Sequence, residues 1–270
     1  MQLLCYTYLM KISHRKKSFG LVAKDYQKYR KSYDQRLYQL IFSLISKKGG
    51  NKHFNFLDIG CGTGKSTEPL LRMRSSQAKV FGCDPDKKML YQARINAKKL
   101  RLPITYVEGS AEKLPFANET FDLIVSGTAF HWFPTKTALT EIKRKLKKNA
   151  PFVSFWTLHI KTGKPTVGGK IFKKYRWKGI PVRLRDTKFI KHLFRKNGLK
   201  HVMAIKIPFL EKMTLQESIG GLKTGSRYAL MSPQKQKEFI KEITKTYKEA
   251  LGERKYFSYK KEICICYGFK

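Results

Sequence analysis

The residues best placed to do chemistry lie in FLDIGCGTGKST, positions 56–67. An apolar run carries Asp58, and Gly60, Gly62 and Gly64 follow at alternate positions before a stretch that can open a helix. Glycines in such a turn let the chain bend sharply and let a ligand come close to the backbone. A second apolar run, KVFGCD (79–84), ends in Asp84. A carboxylate at a strand tip beside a glycine turn can accept hydrogen bonds from both hydroxyls of a ribose. Two other nucleotide-binding patterns fail. In the phosphate loop G-x-x-x-x-G-K-[ST], Lys65-Ser66 would follow Gly64, but Ile59 stands where the first glycine belongs. The dinucleotide pattern G-x-G-x-x-G needs glycine at position 65, which is lysine.

Further candidates follow later apolar runs. Ser110, Ala111 and Glu112 come directly after PITYVEG (103–109), and Thr128 directly after FDLIVSG (121–127). His131 and Trp132 lie just beyond, where open parallel sheets bind ligands. A histidine there can act as a general base or hold a substrate in position. The remaining histidines and all five cysteines carry no catalytic pattern and no metal-ligand spacing.

These residues need a scaffold, and the hydrophobic pattern supplies one. Residues 19–47 show apolar positions at helical spacing, ending at Gly49-Gly50. Short apolar runs then alternate with amphipathic stretches: strands over 53–60, 79–84, 103–109, 121–127 and 151–158, helices over 66–74, 85–99 and from Pro134 to about 148. Strand–helix alternation with buried strands predicts an α/β fold with a doubly wound, mostly parallel sheet. After Leu158 the alternation breaks. A helix over 186–198, a strand over 201–209, helices over 214–224 and 233–251, and a last strand over 263–269 are expected.

In order and spacing, LDIGCGTG (57–64), Asp84 within FGCDPDKKML, VEGSAEKLPF (107–116) and FDLIVSGTAFHWF (121–133) resemble the class I S-adenosylmethionine-dependent methyltransferases. The A-x-H-W-F segment is similar to the trans-aconitate methyltransferase-like group. FGLVAKDYQKYRKSY (19–33), TLQESIGGLKTGSRY (214–228) and YKKEICICYGFK (259–270) extend the similarity over 19–270. The resemblance implies a Rossmann-like core over 53–158, an N-terminal helical lid over 19–50, cap segments at about 159–183 and 208–232, and late core elements at 186–207 and 233–270, behind an extension over 1–18. It implies S-adenosyl-L-methionine as cofactor, held by Asp58, Gly60, Gly62, Gly64, Asp84, Ser110, Ala111, Glu112 and Thr128. Tyr26 would cover the cofactor and Arg30 reach its carboxylate. His131, Trp132 and Arg227 would contact the acceptor, a small molecule, best read as a carboxylic acid methylated on oxygen. A carboxylate is already ionised at neutral pH, so His131 is expected to position rather than deprotonate it. The chain departs from the pattern at Lys31 and Asp34, where proline is common, and at Ser110, where aspartate is common and a hydroxyl accepts the adenine amine without charge assistance.

Composition bounds the rest. The chain has 270 residues, 41% of them hydrophobic and 13% aromatic, enough for a sizeable core. No apolar run is long enough to span a membrane, no secretory leader is recognisable, and the cysteines read as reduced thiols, so a cytoplasmic location is expected. The net charge of +38 is spread over both halves. That favours a lysine-rich solvated surface over a dedicated groove for nucleic acid or an anionic membrane patch. The competing readings are a methyltransferase acting on RNA, an acyl-carrier-linked substrate or a membrane quinone, and a non-catalytic cofactor-binding regulator.

Overall fold

The computed structural model describes residues 17–45, 53–72, 78–160, 166–175 and 182–270. Seven strands form one sheet: β1 (Phe54–Ile59), β2 (Ala78–Asp84), β3 (Ile104–Glu108), β4 (Leu123–Gly127), β5 (Pro151–His159), β6 (Lys200–Met213) and β7 (Phe257–Phe269). Their order is β3-β2-β1-β4-β5-β7-β6. β1 to β5 are parallel, and β7 runs antiparallel to both β5 and β6. The strand order reverses between β1 and β4, so their carboxyl ends diverge and leave a crevice there. The parallel strands are apolar because helices cover both faces: Phe56, Leu57, Leu123, Ile124, Val125, Phe152 and Val153 are completely buried. Each such Leu, Val or Phe contributes about 1.5–3 kcal/mol by leaving water.

The helices begin at recognisable caps. Helices α1 (Ala23–Tyr29), α2 (Gln35–Ser43) and α3 (Glu68–Arg72) precede α4 (Lys87–Lys99), which Asp86 caps through the Lys88 and Met89 amides. Thr135 caps α5 (Lys136–Lys145). After α6 (Gly169–Lys174), Asp186 caps α7 (Thr187–Lys196), and Thr214 with Glu217 forms a capping box on α8 (Leu215–Lys223). A short α9 (Ser226–Ala229) and α10 (Pro233–Leu251), capped by Ser232, complete the set. α5 and α7 pack on one face of the sheet through Leu139, Ile142, Ile190 and Phe194; α2 packs on the other through Leu37, Tyr38 and Ile41.

Several expected boundaries shift. The lid was expected over 19–50, but α2 is core, because its apolar stripe is sealed against β1, β4 and β5; the turn Lys17–Val22, α1 and Tyr33 lie at the sheet's carboxyl edge, and residues 46–50 lie outside the described residues. Of the expected extension over 1–18, residues 1–16 lie outside the described residues, and Lys17 and Ser18 open that turn. The cap expected over 208–232 begins later, since β6 continues to Met213. Beyond His159, where β5 ends, β6 and β7 continue as a two-stranded ribbon from Leu210↔Lys260 to Met213↔Phe257. α10, expected as late core, instead forms a separate apolar cluster with α6 and α8 around Phe239, Ile243 and Tyr247, with Phe257 of the ribbon beneath. Of the expected cap over 159–183, the described part is the end of β5 at His159 with Ile160, residues 166–175 around α6, and the start of a turn at Val182–Arg185.

Candidate active site

The glycine turn is held rigidly from below. Gly60 and Cys61 both donate their amides to the Cys83 carbonyl, at 2.8 and 3.2 Å, tying the turn to the end of β2. Asp58, fully buried, accepts from the Ser66 hydroxyl at 2.6 Å and the Thr67 hydroxyl at 2.7 Å. Burial pushes its carboxyl up to about 7 against the pull of those two hydroxyls. Gly64 has φ +89, and a Cβ there would lie 2.4 Å from the Tyr106 hydroxyl, so both conformation and space demand glycine.

At the β2 tip, one Asp84 oxygen accepts from the Gly62 amide and the other from the Asp86 amide, each at 2.9 Å. Each oxygen keeps a lone pair for a further donor. Burial raises this carboxyl to about 6, and the two amides oppose the rise. Asp86 carries the arrangement outward. While one of its oxygens caps α4, the other accepts from the Gly20 amide at 2.9 Å. The Thr63 hydroxyl donates to the Gln27 side chain at 2.8 Å, so α1 is also fastened to the glycine turn.

These elements line a cleft of about 160 Å³. Its floor is the glycine turn with Asp84, and its roof is aromatic: Phe19 meets Tyr26 and Trp132 edge-on at 6.1 and 5.6 Å. Of the residues singled out in the sequence, the structure gathers Tyr26, Gly60, Gly62, Asp84, Ser110, Ala111, Glu112, Thr128 and Trp132 around this cleft. Others lie elsewhere. Asp58 and Gly64 do not line it: they shape the turn from beneath, one by hydrogen bonding and one by its backbone. Arg30 also stands off the cleft, because its guanidinium donates to the Thr224 hydroxyl at 2.9 Å and stacks over Tyr26. Arg227, on α9, lines neither this cleft nor the recess beside it.

His131 turns away from its neighbour. In the turn Phe130–Trp132, Trp132 faces the cleft while His131 lines a narrow recess too tight for a water molecule. Burial, then the nearby charge of Arg185, press its pKa down to about 3, so the ring is neutral at physiological pH and a weak base. Thr128 and Ala129 line both spaces. Thr128 has φ +53, and its hydroxyl lies 2.7 Å from that of Tyr33. Tyr33 in turn meets Phe155 edge-on at 4.8 Å, and Phe155 lines the recess. Sequence reasoning missed Phe19, Tyr33, Met89 and the Thr63–Gln27 bond, which join distant segments. It also missed Ser154 and Trp156 in the recess, although two polar-bearing residues at alternate positions of an apolar strand are a readable signal.

The cleft suits an adenosine carrying a short charged tail. Positive φ at Gly60 and Gly62 lets backbone approach the ligand, and an added Cβ at Gly60 would fall 2.5 Å from that of Ala129. Asp84 presents its spare lone pairs at the strand tip. Comparison with known proteins agrees. Residues 57–154 match the methyltransferase domain family. A methyltransferase sequence of Dictyostelium discoideum is 25% identical over 245 residues, 88% of this chain and 89% of that one. A type II methyltransferase structure from Anaeromyxobacter dehalogenans superposes with a TM-score of 0.60 at 19% identity, covering 89% of this chain and 98% of the other. Phosphoethanolamine N-methyltransferase 2 of Haemonchus contortus, in complex with S-adenosyl-L-methionine, superposes with a TM-score of 0.52 at 16% identity over 92% of this chain and 56% of that one. The two structural likenesses speak to the fold, while the domain match and the carboxylate-tipped glycine turn speak to the chemistry. On these grounds residues 57–154 are a methyltransferase domain, and the chain as a whole is similar to the class I S-adenosylmethionine-dependent methyltransferases.

Proposed function

We propose that the enzyme methylates a small acceptor on a carboxylate oxygen. The observation that carries this reading is a roofed cleft next to a recess whose histidine is buried, neutral and a weak base. A phenol or alcohol acceptor needs a base to take its proton, whereas a carboxylate, with a reference pKa near 4, arrives ionised. The sequence resemblance to small-acid methyltransferases points the same way.

The bound cofactor supplies an electrophilic methyl on a sulfonium. The protein contributes placement. Asp84 and the Gly60–Gly62 backbone hold the nucleoside, Ser110 to Glu112 border the adenine side, and Thr128 marks the passage towards the acceptor. Phe19, Tyr26 and Trp132 exclude water from the roof. The acceptor oxygen gives its lone pair to the new O–CH3 bond, the S–CH3 pair returns to sulfur, and no proton is released. The dispersed positive charge and the four free, buried described cysteines fit work on a small anion in a reducing cytoplasm. Among the described residues no helix is long and apolar enough to cross a membrane.

A cell extract incubated with the enzyme and methyl-labelled cofactor tests the proposal. Label is expected in base-labile small esters, with turnover nearly unchanged between about 50 and 200 mM salt. Label in RNA, with binding falling by orders of magnitude over that range through counterion release, would overturn it.

A further inference from the structure

Lys65 stands apart from the other cations of this basic chain. It directly follows the last glycine of the turn, Gly64, and lines the cofactor cleft. Among the described residues it is the one basic residue that does so. Surface lysines hold their ammonium in water. Lys65 is half-buried, and its side chain forms no hydrogen bond or ion pair among the described residues. Burial lowers its basicity. The charge of Glu68 works against that fall, yet the buried Oε1 of Glu68 is unpartnered and does not bond the ammonium. A partly desolvated cation with no partner, facing a cleft, is matched by an anion from outside the chain.

Position selects the anion. In the sheet order β3-β2-β1-β4, the strand ends of β2 and β3 bring Asp84 and Ser110 to Glu112 to one end of the cleft. Lys65 belongs to the other end. Its neighbour Ser66 packs against the end of β4, where a Cβ on Gly127 would lie 2.8 Å from the Ser66 Cβ. The base and the 5′ substituent leave a ribose from opposite sides of its ring. With the ribose on Asp84 and the base towards β3, the amino-acid tail of the cofactor runs towards β1 and β4. An acidic acceptor is the other anion to consider, and the direction of transfer decides between them. The acceptor approaches the methyl in line, from the side opposite sulfur. Lys65 is fixed to the turn that floors the nucleoside, on the side of sulfur. Arg30, expected from the sequence to reach the cofactor's carboxylate, is engaged by the Thr224 hydroxyl instead.

We propose that Lys65 binds the α-carboxylate of S-adenosylmethionine, in the role that Arg30 was expected to fill. The proposal rests on the cofactor assignment and is independent of which acceptor is methylated. It makes the residue after the glycine turn, rather than the roof helix, the selector for an amino-acid tail. Adenosine compounds without a carboxylate gain nothing from Lys65, whereas the cofactor and its product meet an ammonium whose backbone is already fixed.

The test is calorimetry on the full-length chain with two ligands, S-adenosylhomocysteine and 5′-methylthioadenosine. The second keeps the adenosine and the thioether but lacks the carboxylate and the amine. Lys65→Met is expected to weaken S-adenosylhomocysteine by about tenfold or more, the size of one hydrogen bond to a charged group, and to leave 5′-methylthioadenosine within about twofold. Lys65→Arg, which keeps the charge, should recover most of the loss, and Arg30→Met should affect both ligands alike. If Lys65→Met does not fold, Lys65→Gln carries the same comparison. Equal weakening of both ligands in the Lys65 variant would make Lys65 a structural part of the turn. Unchanged S-adenosylhomocysteine affinity would leave the ammonium to the acceptor. Either result overturns the proposal, as does a selective loss of S-adenosylhomocysteine in Arg30→Met. Failure of the unaltered protein to bind either ligand would overturn the cofactor assignment, and this proposal with it.

Discussion

The two spaces that meet at Thr128 are built on opposite principles. On the cofactor side the acidic groups that face the cleft and its roof are satisfied by the chain itself: Asp84 by two amides and Asp86 by three. On the recess side the donors of Ser154, Trp156 and His131 are buried without partners. The first arrangement pre-pays the ordering of a site that every turnover reuses, so its geometry exists before the ligand arrives. The second leaves polar groups desolvated in a space too tight for water, a cost that the fold carries in its core. The cofactor side presents a finished floor, whereas the recess side keeps unspent polar atoms.

This contrast can be broken by substitution. The largest effect is expected from Asp84→Ala. Calorimetry should show S-adenosylhomocysteine binding weakened by about 1.5–3 kcal/mol, the range for hydrogen bonds to a charged group. Unchanged affinity in a folded variant would show that the finished floor is only structural. A somewhat smaller effect should come from pH. The Asp84 carboxyl sits at about 6 in the free protein, above its ordinary 3.8, because it is buried. Ribose hydroxyls donate best to the ionised form, so protons compete with the ligand. Affinity should be flat above pH 7 and fall about tenfold per pH unit well below 6, with the slope abolished in Asp84→Asn. A slope that survives in that variant would assign the titration to another group. The smallest effect sharpens the recess side. Ser154→Ala removes a buried hydroxyl that has no partner, so thermal denaturation of the ligand-free protein should show no loss, and up to about 1 kcal/mol of gain. A loss above that size would mean that the hydroxyl already has a partner inside the fold.

The difference between the two spaces also explains what could be read from the sequence. The glycine turn and Asp84 are contiguous with the strands that carry them, and local chain geometry forces glycine at such turns. Position along the chain therefore translated directly into position in the cleft. His131 was legible as a site residue by its place after β4, but not its direction: a short helical turn sends adjacent side chains to different sides, so Trp132 and His131 part company. Arg30 and Arg227 were indistinguishable from the surrounding basic surface, because a guanidinium's reach is settled by whichever partner packs beside it, here Thr224 for Arg30. The ends of β6 and α10 were obscured for another reason. The strand expected over 201–209 runs on to Met213, and Pro208 is tolerated within it because β6 is an edge strand, where a missing amide does not interrupt pairing on the inner side. The amphipathic period of α10 shows that one face must be buried but not which surface covers it, and the ribbon that extends beyond β5 is a pairing between residues far apart in sequence.

Asp86 serves the roof and the helix beneath it at once. One carboxylate oxygen anchors the helix frame while the other latches the Gly20 amide, and the second fastening, Thr63 to Gln27, joins the same roof. Breaking both would cost about 1–3 kcal/mol in hydrogen bonds and would leave the helix cap undisturbed. Roof and helix thus share one carboxylate without sharing an oxygen.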